Sequence, residues 1–453
     1  MKKVILILFI SNSLFSQQML DFKMLRYDED YFEKKMDTNA TFFDKIKNIS
    51  LDNHNAFKLS IGGELRLQYQ YLKNEQWGDI PDDKDGFLLN RALLHTDFKY
   101  KNRFRLFTQL QSSTAVGRID PSPVEKNELD FHQLFIDYNI FIEKSKITFR
   151  IGRQEMLLGS QRLVSVREGP NNRQAFDATR IMFENTTLKS ELFYSFPVKN
   201  HYGTFDDKFD NNTKFTGSYT TIKKIPILEN IDAYYFNLRK NNAKFEDASG
   251  FENRNTIGTR IWRKNHSWNY DFEAVYQFGD IGDTKIEAWT VSLNTTYEFN
   301  AIKFKPMFGL KTELISGNKN YGDTTIQTFN PLFPKGAYFG LAALIGPSNL
   351  YDIHPSISLN LSEDIVFSVD YDMFWRYSTN DGIYQPNTQL IYSGKNASEK
   401  YIGSQWEATL DYDVKKWLAF RLEGTWFKAG DYLQEVSAGK NILFGAATMY
   451  LRM

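Results

Sequence analysis

The sequence predicts an all-β protein, a transmembrane antiparallel up-and-down β-barrel of about 18 strands with short periplasmic turns and long extracellular loops. Three observations point there. Aromatic residues make up 16% of the chain, with 38 Phe and 25 Tyr, yet the mean hydropathy lies on the hydrophilic side. Such a chain must interleave apolar and polar residues finely, as membrane barrels do. From about Phe57 onward, segment after segment alternates with period 2. The gaps between these segments switch regularly between tight and long.

The chain starts with Lys2 and Lys3, the apolar run Val4 to Ile10 and small residues up to Ser16, so residues 1–16 read as a secretory signal peptide. That run is too short to span a bilayer, and no later segment approaches the roughly 20 apolar residues of a membrane helix. Residues 17–56 are charged and do not alternate; FKMLRYDEDYFEKKM is typical. They form an N-terminal segment that sits in the periplasm or folds into the barrel mouth. Its acidic run, Asp28-Glu29-Asp30, reads as a solvated patch.

The barrel occupies 57–453. Leu59, Ile61, Leu65, Leu67, Tyr69 and Tyr71 alternate with Lys58, Ser60, Glu64, Arg66, Gln68 and Gln70. Ile365, Phe367, Val369, Tyr371, Met373 and Trp375 alternate with Ser368, Asp370, Asp372 and Arg376. Each stretch exceeds the roughly 9–11 residues that a tilted strand needs to cross a bilayer. Tight gaps fall at Lys101-Asn102, Glu143-Lys144, Asn185-Thr186, Lys264-Asn265, Asn300-Ala301, Ser362-Glu363 and Asp413-Val414. Between them lie mostly long ones, including Met156 to Asn172, Ser316 to Asn349 and Ser378 to Glu399. Both termini then fall on the short-turn side, as in outer-membrane barrels. Aromatics such as Trp289, Trp375, Trp406 and Trp426 stand at strand ends, where interfacial girdles belong.

Charge and chemistry narrow the function. Lys+Arg and Asp+Glu both number 55, and a net charge of zero argues against a nucleic-acid partner. The absence of cysteine removes disulfides, thiolate metal sites and cysteine nucleophiles. His54, His95, His132, His201, His266 and His354 are scattered, without metal-ligand spacing or a nucleophile elbow, so neither enzyme activity nor a cofactor or metal is expected. His95 reads as a polar wall residue. Asp82-Asp83-Lys84-Asp85-Gly86 fails calcium-loop spacing and reads as a solvated loop.

Opposite the apolar face lies the lumen, and its two walls differ. The first third contributes Lys58, Arg66, Arg91, Lys99, Arg103, Arg105, Arg150, Arg180 and Lys189. Later strands contribute Asp271, Glu273, Glu313, Asp370, Asp372, Glu407, Asp411 and Glu423, with Lys303, Lys305 and Lys311 among fewer bases. Arginine forks on such a wall hold carboxylate-bearing solutes weakly and in series, which conduction requires. In the stretch Ile147 to Phe183, Arg150 and Arg180 belong to the wall, whereas Arg162, Arg167 and Arg173 belong to an inward loop; Arg153 is out of phase.

GRQEMLLGSQRLVSVREGPNNRQAFD, from Gly152 to Asp177, resembles the signature stretch of the alginate-export (AlgE-like) outer-membrane barrels. GGELRLQYQY at Gly62, RFRLFTQLQSS at Arg103 and ELDFHQLFIDYN at Glu128 resemble that family in order and spacing. LRYDEDY, from Leu25, looks like its Bacteroidetes-type branch. The resemblance implies a monomeric 18-stranded barrel in the outer membrane, facing lipid outside and periplasmic or barrel-assembly partners at its inner end. It implies passive transport of an anionic polysaccharide or oligosaccharide, an alginate-like polyuronate, with Arg66, Arg91, Arg105, Arg150 and Arg180 as the leading wall cations. The alternative is a general porin for small solutes. The family's defining exporter plugs its pore with a long late periplasmic turn; here that turn, about Asp413 to Lys415, is minimal.

Overall fold

The computed structural model describes residues 22–31, 42–264 and 266–453, so the expected leader 1–16, parts of 17–56 and Asn265 lie outside the described residues. The first six barrel strands are β1 Phe57–Lys73, β2 Phe87–Tyr100, β3 Phe104–Val116, β4 Asn127–Ile142, β5 Ser145–Gln154 and β6 Phe176–Glu184. Next come β7 Leu188–Lys199, β8 Thr213–Ile225, β9 Glu229–Lys244, β10 Ser249–Arg263, β11 Trp268–Ile281 and β12 Thr284–Glu298. The last six are β13 Met307–Ile315, β14 Leu350–Asn360, β15 Ile365–Arg376, β16 Tyr401–Lys415, β17 Leu418–Ala429 and β18 Ile442–Arg452. Each pairs antiparallel with its neighbours in sequence, and β1 pairs with β18 from Glu64↔Arg452 to Lys73↔Leu443. That last pairing closes an 18-stranded barrel and leaves it no free edge.

Alternation sets the two faces. On β1, Leu65 and Tyr69 are 36% and 44% exposed while Arg66 and Gln68 are 1% and 6% exposed. Apolar side chains therefore point outward and polar ones inward, the reverse of a soluble fold and the arrangement lipid demands. Outward aromatics pack across strands: Tyr371 meets Trp406 at 4.5 Å, and Tyr351 stacks on Trp375 at 4.9 Å.

Tight turns join the strands at one end, two of them through left-handed Lys101 and Glu143. Three expectations need correction there. The turn expected at Asn300-Ala301 runs over 299–306, and Lys303 and Lys305 sit exposed in it rather than on a lumen wall. Pro306 has no N–H for the ladder, so the next strand begins only at Met307. Arg103 likewise lies exposed in the turn before β3 and is not a wall cation, because its N–H is drawn back to the Tyr100 carbonyl at 3.3 Å. β16 also continues past the turn expected at Asp413-Val414 to Lys415, through an irregularity at that point.

Three segments from the other end matter most: L3 (155–175), L7 (316–349) and L8 (377–400). They carry the protein's apolar core, and it lies inside the barrel. Met156, Leu163, Val164, Phe329, Phe333, Phe339, Ile345 and Tyr384 join inward Phe176, Phe215 and Phe236 in one buried cluster. A fully buried side chain of this size contributes about 1.5–3 kcal/mol. L3 and L7 also share backbone bonds, Ser165 N–H to Phe333 O at 2.9 Å and Phe333 N–H to Leu163 O at 2.8 Å.

Candidate functional site

L3 crosses the lumen from the basic wall to the acidic one. At its near end the Arg66 guanidinium donates to the carbonyls of Glu168, Gly169 and Pro170 and to Asn171 Oδ1, at 2.8–3.2 Å. Arg91 bonds the carboxylates of Glu64 and Glu168 and has no solvent exposure. Burial alone would raise the Glu168 pKa, but Arg91, Arg173 and Arg66 hold it down at about 2. At the far end Arg162 bonds Glu313 on β13 and lies 3.6 Å from Glu273 on β11.

The N-terminal segment enters from the short-turn end and meets L3 from below. Tyr27 packs edge-on against Phe107 and Phe135, and its hydroxyl donates to the Glu155 carbonyl at 2.9 Å. Arg105 donates to the Tyr27 carbonyl at 2.6 Å while gripping Asp97 with two bonds. Arg150 is held by both oxygens of Asp137 at 2.7 and 2.8 Å, with its guanidinium 4.3 Å over the Tyr27 ring. Arg173 reaches the Met24 carbonyl at 2.8 Å and pairs with Glu155 at 2.8 Å. Of the two places expected for this segment, residues 22–31 occupy the barrel mouth.

The structure therefore brings Arg66, Arg91, Arg105, Arg150 and Arg180 to the inner face, and all five are engaged. Arg180 pairs with Glu191 at 2.5 Å. Arg153, set aside as out of phase, pairs with Asp177 at 2.9 Å. On the opposing wall, Glu407 accepts from Leu341 N–H of L7 at 2.8 Å, and Asp411 takes two bonds from Arg421. Asp370 and Asp372 stand beside His354. Gly340 lets L7 approach this wall: a Cβ there would meet Gln405 Nε2 at 2.2 Å.

Two cations at the L3–L7 seam are different. Arg167 makes a 3.3 Å bond to the Pro334 carbonyl and, among the described residues, pairs with no carboxylate; burial alone lowers its pKa. Lys335, the next residue after that carbonyl, is exposed to a cavity of about 330 Å3 and has no ion pair among the described residues. Lys311 also lines this cavity and donates to the Tyr338 carbonyl at 2.9 Å. A larger cavity of about 660 Å3 lies beside it, sharing Gly159 and Lys264, and is lined by Arg105, Lys146, Arg150, Arg180 and Lys189. Sequence reading named Arg167 and Lys311 but missed Lys335, whose loop carries no alternation to assign it a face. It also missed Tyr27 and Glu168, although both fall within the stretches of family resemblance.

A family model described as Alginate export matches residues 57–441. No curated protein matches the chain in sequence. Among solved structures, Pseudomonas aeruginosa OccK2 (OpdF), determined in complex with glucuronate, is similar at 9% identity and a TM-score of 0.55, over 87% of this chain and 98% of its own. A BenF-like porin from Pseudomonas fluorescens Pf-5 is similar at 9% identity and a TM-score of 0.57, over 87% and 99%. Pseudomonas aeruginosa OpdO is similar at 11% identity and a TM-score of 0.56, over 87% and 97%. At such identities the likeness is one of fold.

Proposed function

Because the chain belongs to the alginate-export family and forms an outer-membrane β-barrel channel, we propose that it passes anionic saccharides of the polyuronate class. The observation that carries this reading is the pair Arg167 and Lys335, cations at the L3–L7 seam that no carboxylate of the described residues neutralises. A sugar carboxylate fits that deficit and a neutral sugar does not. Arg66, Arg91, Arg105, Arg150 and Arg180 then act mainly by holding L3 and the N-terminal segment. Arg162 and Arg173 fix the two ends of L3. A uronate sugar bound by the structurally similar OccK2 lends support to this solute class on such a barrel.

Each exposed cation–carboxylate contact in a hydrated pore contributes about 1 kcal/mol, roughly fivefold in affinity. The full-length channel in planar bilayers is expected to show discrete conductance that uronate oligomers block more strongly than neutral sugars of equal size. Arg167→Ala with Lys335→Ala should weaken that block by about an order of magnitude. Equal block by neutral sugars would instead establish a general porin for small solutes, the second reading, with L7 and L8 setting the size limit.

A further inference from the structure

Asp352 and His354 lie two residues apart on β14, so both point into the lumen, and the β14–β15 register sets Asp372 against them. One ligand atom from each lies within 4.8 Å of the others. Asp352 and Asp372 have no solvent exposure, and none of their four carboxylate oxygens has a hydrogen-bond partner among the described residues. Donors elsewhere on this wall are committed. The Lys311 ammonium, opposite His354 across β13, is turned to the Tyr338 carbonyl at 2.9 Å. Arg162 is bound to Glu313, which stands opposite Asp352. Two buried carboxylates that face only one misaligned imidazole nitrogen, 3.1 Å from Asp372, cost several kcal/mol unless a further cation meets them.

His354 supplies the next clue. Its Nδ1 faces Asp372 Oδ2 at 3.1 Å without hydrogen-bond alignment, a separation that suits two ligands on one edge of a coordination shell. Its Nε2 faces Asp370 Oδ1 at 3.6 Å. A ring with one nitrogen toward a ligand set and the other toward a carboxylate is the usual setting of a metal-bound histidine. We propose that Asp352, His354 and Asp372 bind a divalent cation of the zinc class on the lumen wall, with Asp370 orienting the imidazole. One nitrogen and two carboxylate oxygens suit zinc better than calcium or magnesium, which prefer oxygen alone. The cation balances the two buried charges, and three protein atoms leave a tetrahedral ion one further position.

The test is calorimetric titration of the refolded full chain, stripped with chelator, with zinc chloride alone. One equivalent is expected, with affinity falling about 10–100-fold in Asp370→Asn and more in His354→Gln or Asp372→Asn. Heat-modifiable gel mobility confirms that each variant has closed its barrel. Asp206→Asn, in the separate His201–Asp206–Asp207 loop group, should leave that equivalent intact. Full zinc binding by an Asp352→Asn, Asp372→Asn double variant would overturn the site. Absence of zinc binding by the wild type, or a preference for calcium over zinc, would overturn it equally.

Discussion

Replacing Arg91 with Ala removes the one cation that bonds both Glu64 and Glu168. Glu64 then keeps only Arg452 at 3.4 Å and Glu168 only Arg173 at 3.2 Å, and a broken buried pair costs about 3–5 kcal/mol. L3 loses its anchor beside Arg66, so Arg91→Ala should unfold at lower denaturant and expose residues 155–175 to protease while the strands remain paired. Lys303→Ala, in an exposed turn, serves as the comparison and should change stability by no more than about 0.5 kcal/mol. Equal protection of L3 in the two variants would mean that its shape does not depend on this cation. The same residue marks what sequence reading can and cannot reach. Period-2 alternation put Arg91 on the inner face, but the partner that decides its role, Glu168, comes from a loop 77 residues away.

Among the elements, L7 and L8 meet at Asp381, which L8 buries completely and whose carboxylate accepts from Asn318 N–H, Thr328 Oγ1 and Tyr384 Oη at 2.6–2.7 Å. Burial pushes this carboxyl up to about 6, despite those donors. The folded state thus holds the proton more tightly than the unfolded chain, whose Asp titrates near ~3.9. The contribution to packing is full below the unfolded value and is lost as pH rises through about 6. Hydrogen exchange should therefore find residues 377–400 better protected at about pH 5 than at about pH 7.5, with the difference absent in Asp381→Asn. Strands of this kind were legible because each repeats its own pattern, whereas these loops were legible only as lengths. Their structure depends on contacts between L3, L7 and L8 that no local periodicity encodes. His354 and Asp372 were named singly but not grouped with Asp352 for a related reason: only strand register brings Asp372 to the other two.

At the scale of the molecule, the barrel is a shell around a plug made of its own chain. The late turn is short, and the inward chain is instead residues 22–31, bonded to L3 at Glu155, and L7, bonded to it at Leu163 and Ser165. A chain lacking residues 22–31 should keep its barrel and show a single-channel conductance several-fold above the full-length protein; an unchanged conductance would place the narrowest point at the L3–L7 seam alone. The segment has one more contact of note. Arg26 donates to the carbonyl of Met453 at 2.9 Å, and Met453 is itself held by two backbone bonds to Gly63 of β1. That acceptor comes into place only when the last strand has joined the first. The segment thus completes its seating only on a closed ring, and this one bond reports the closure.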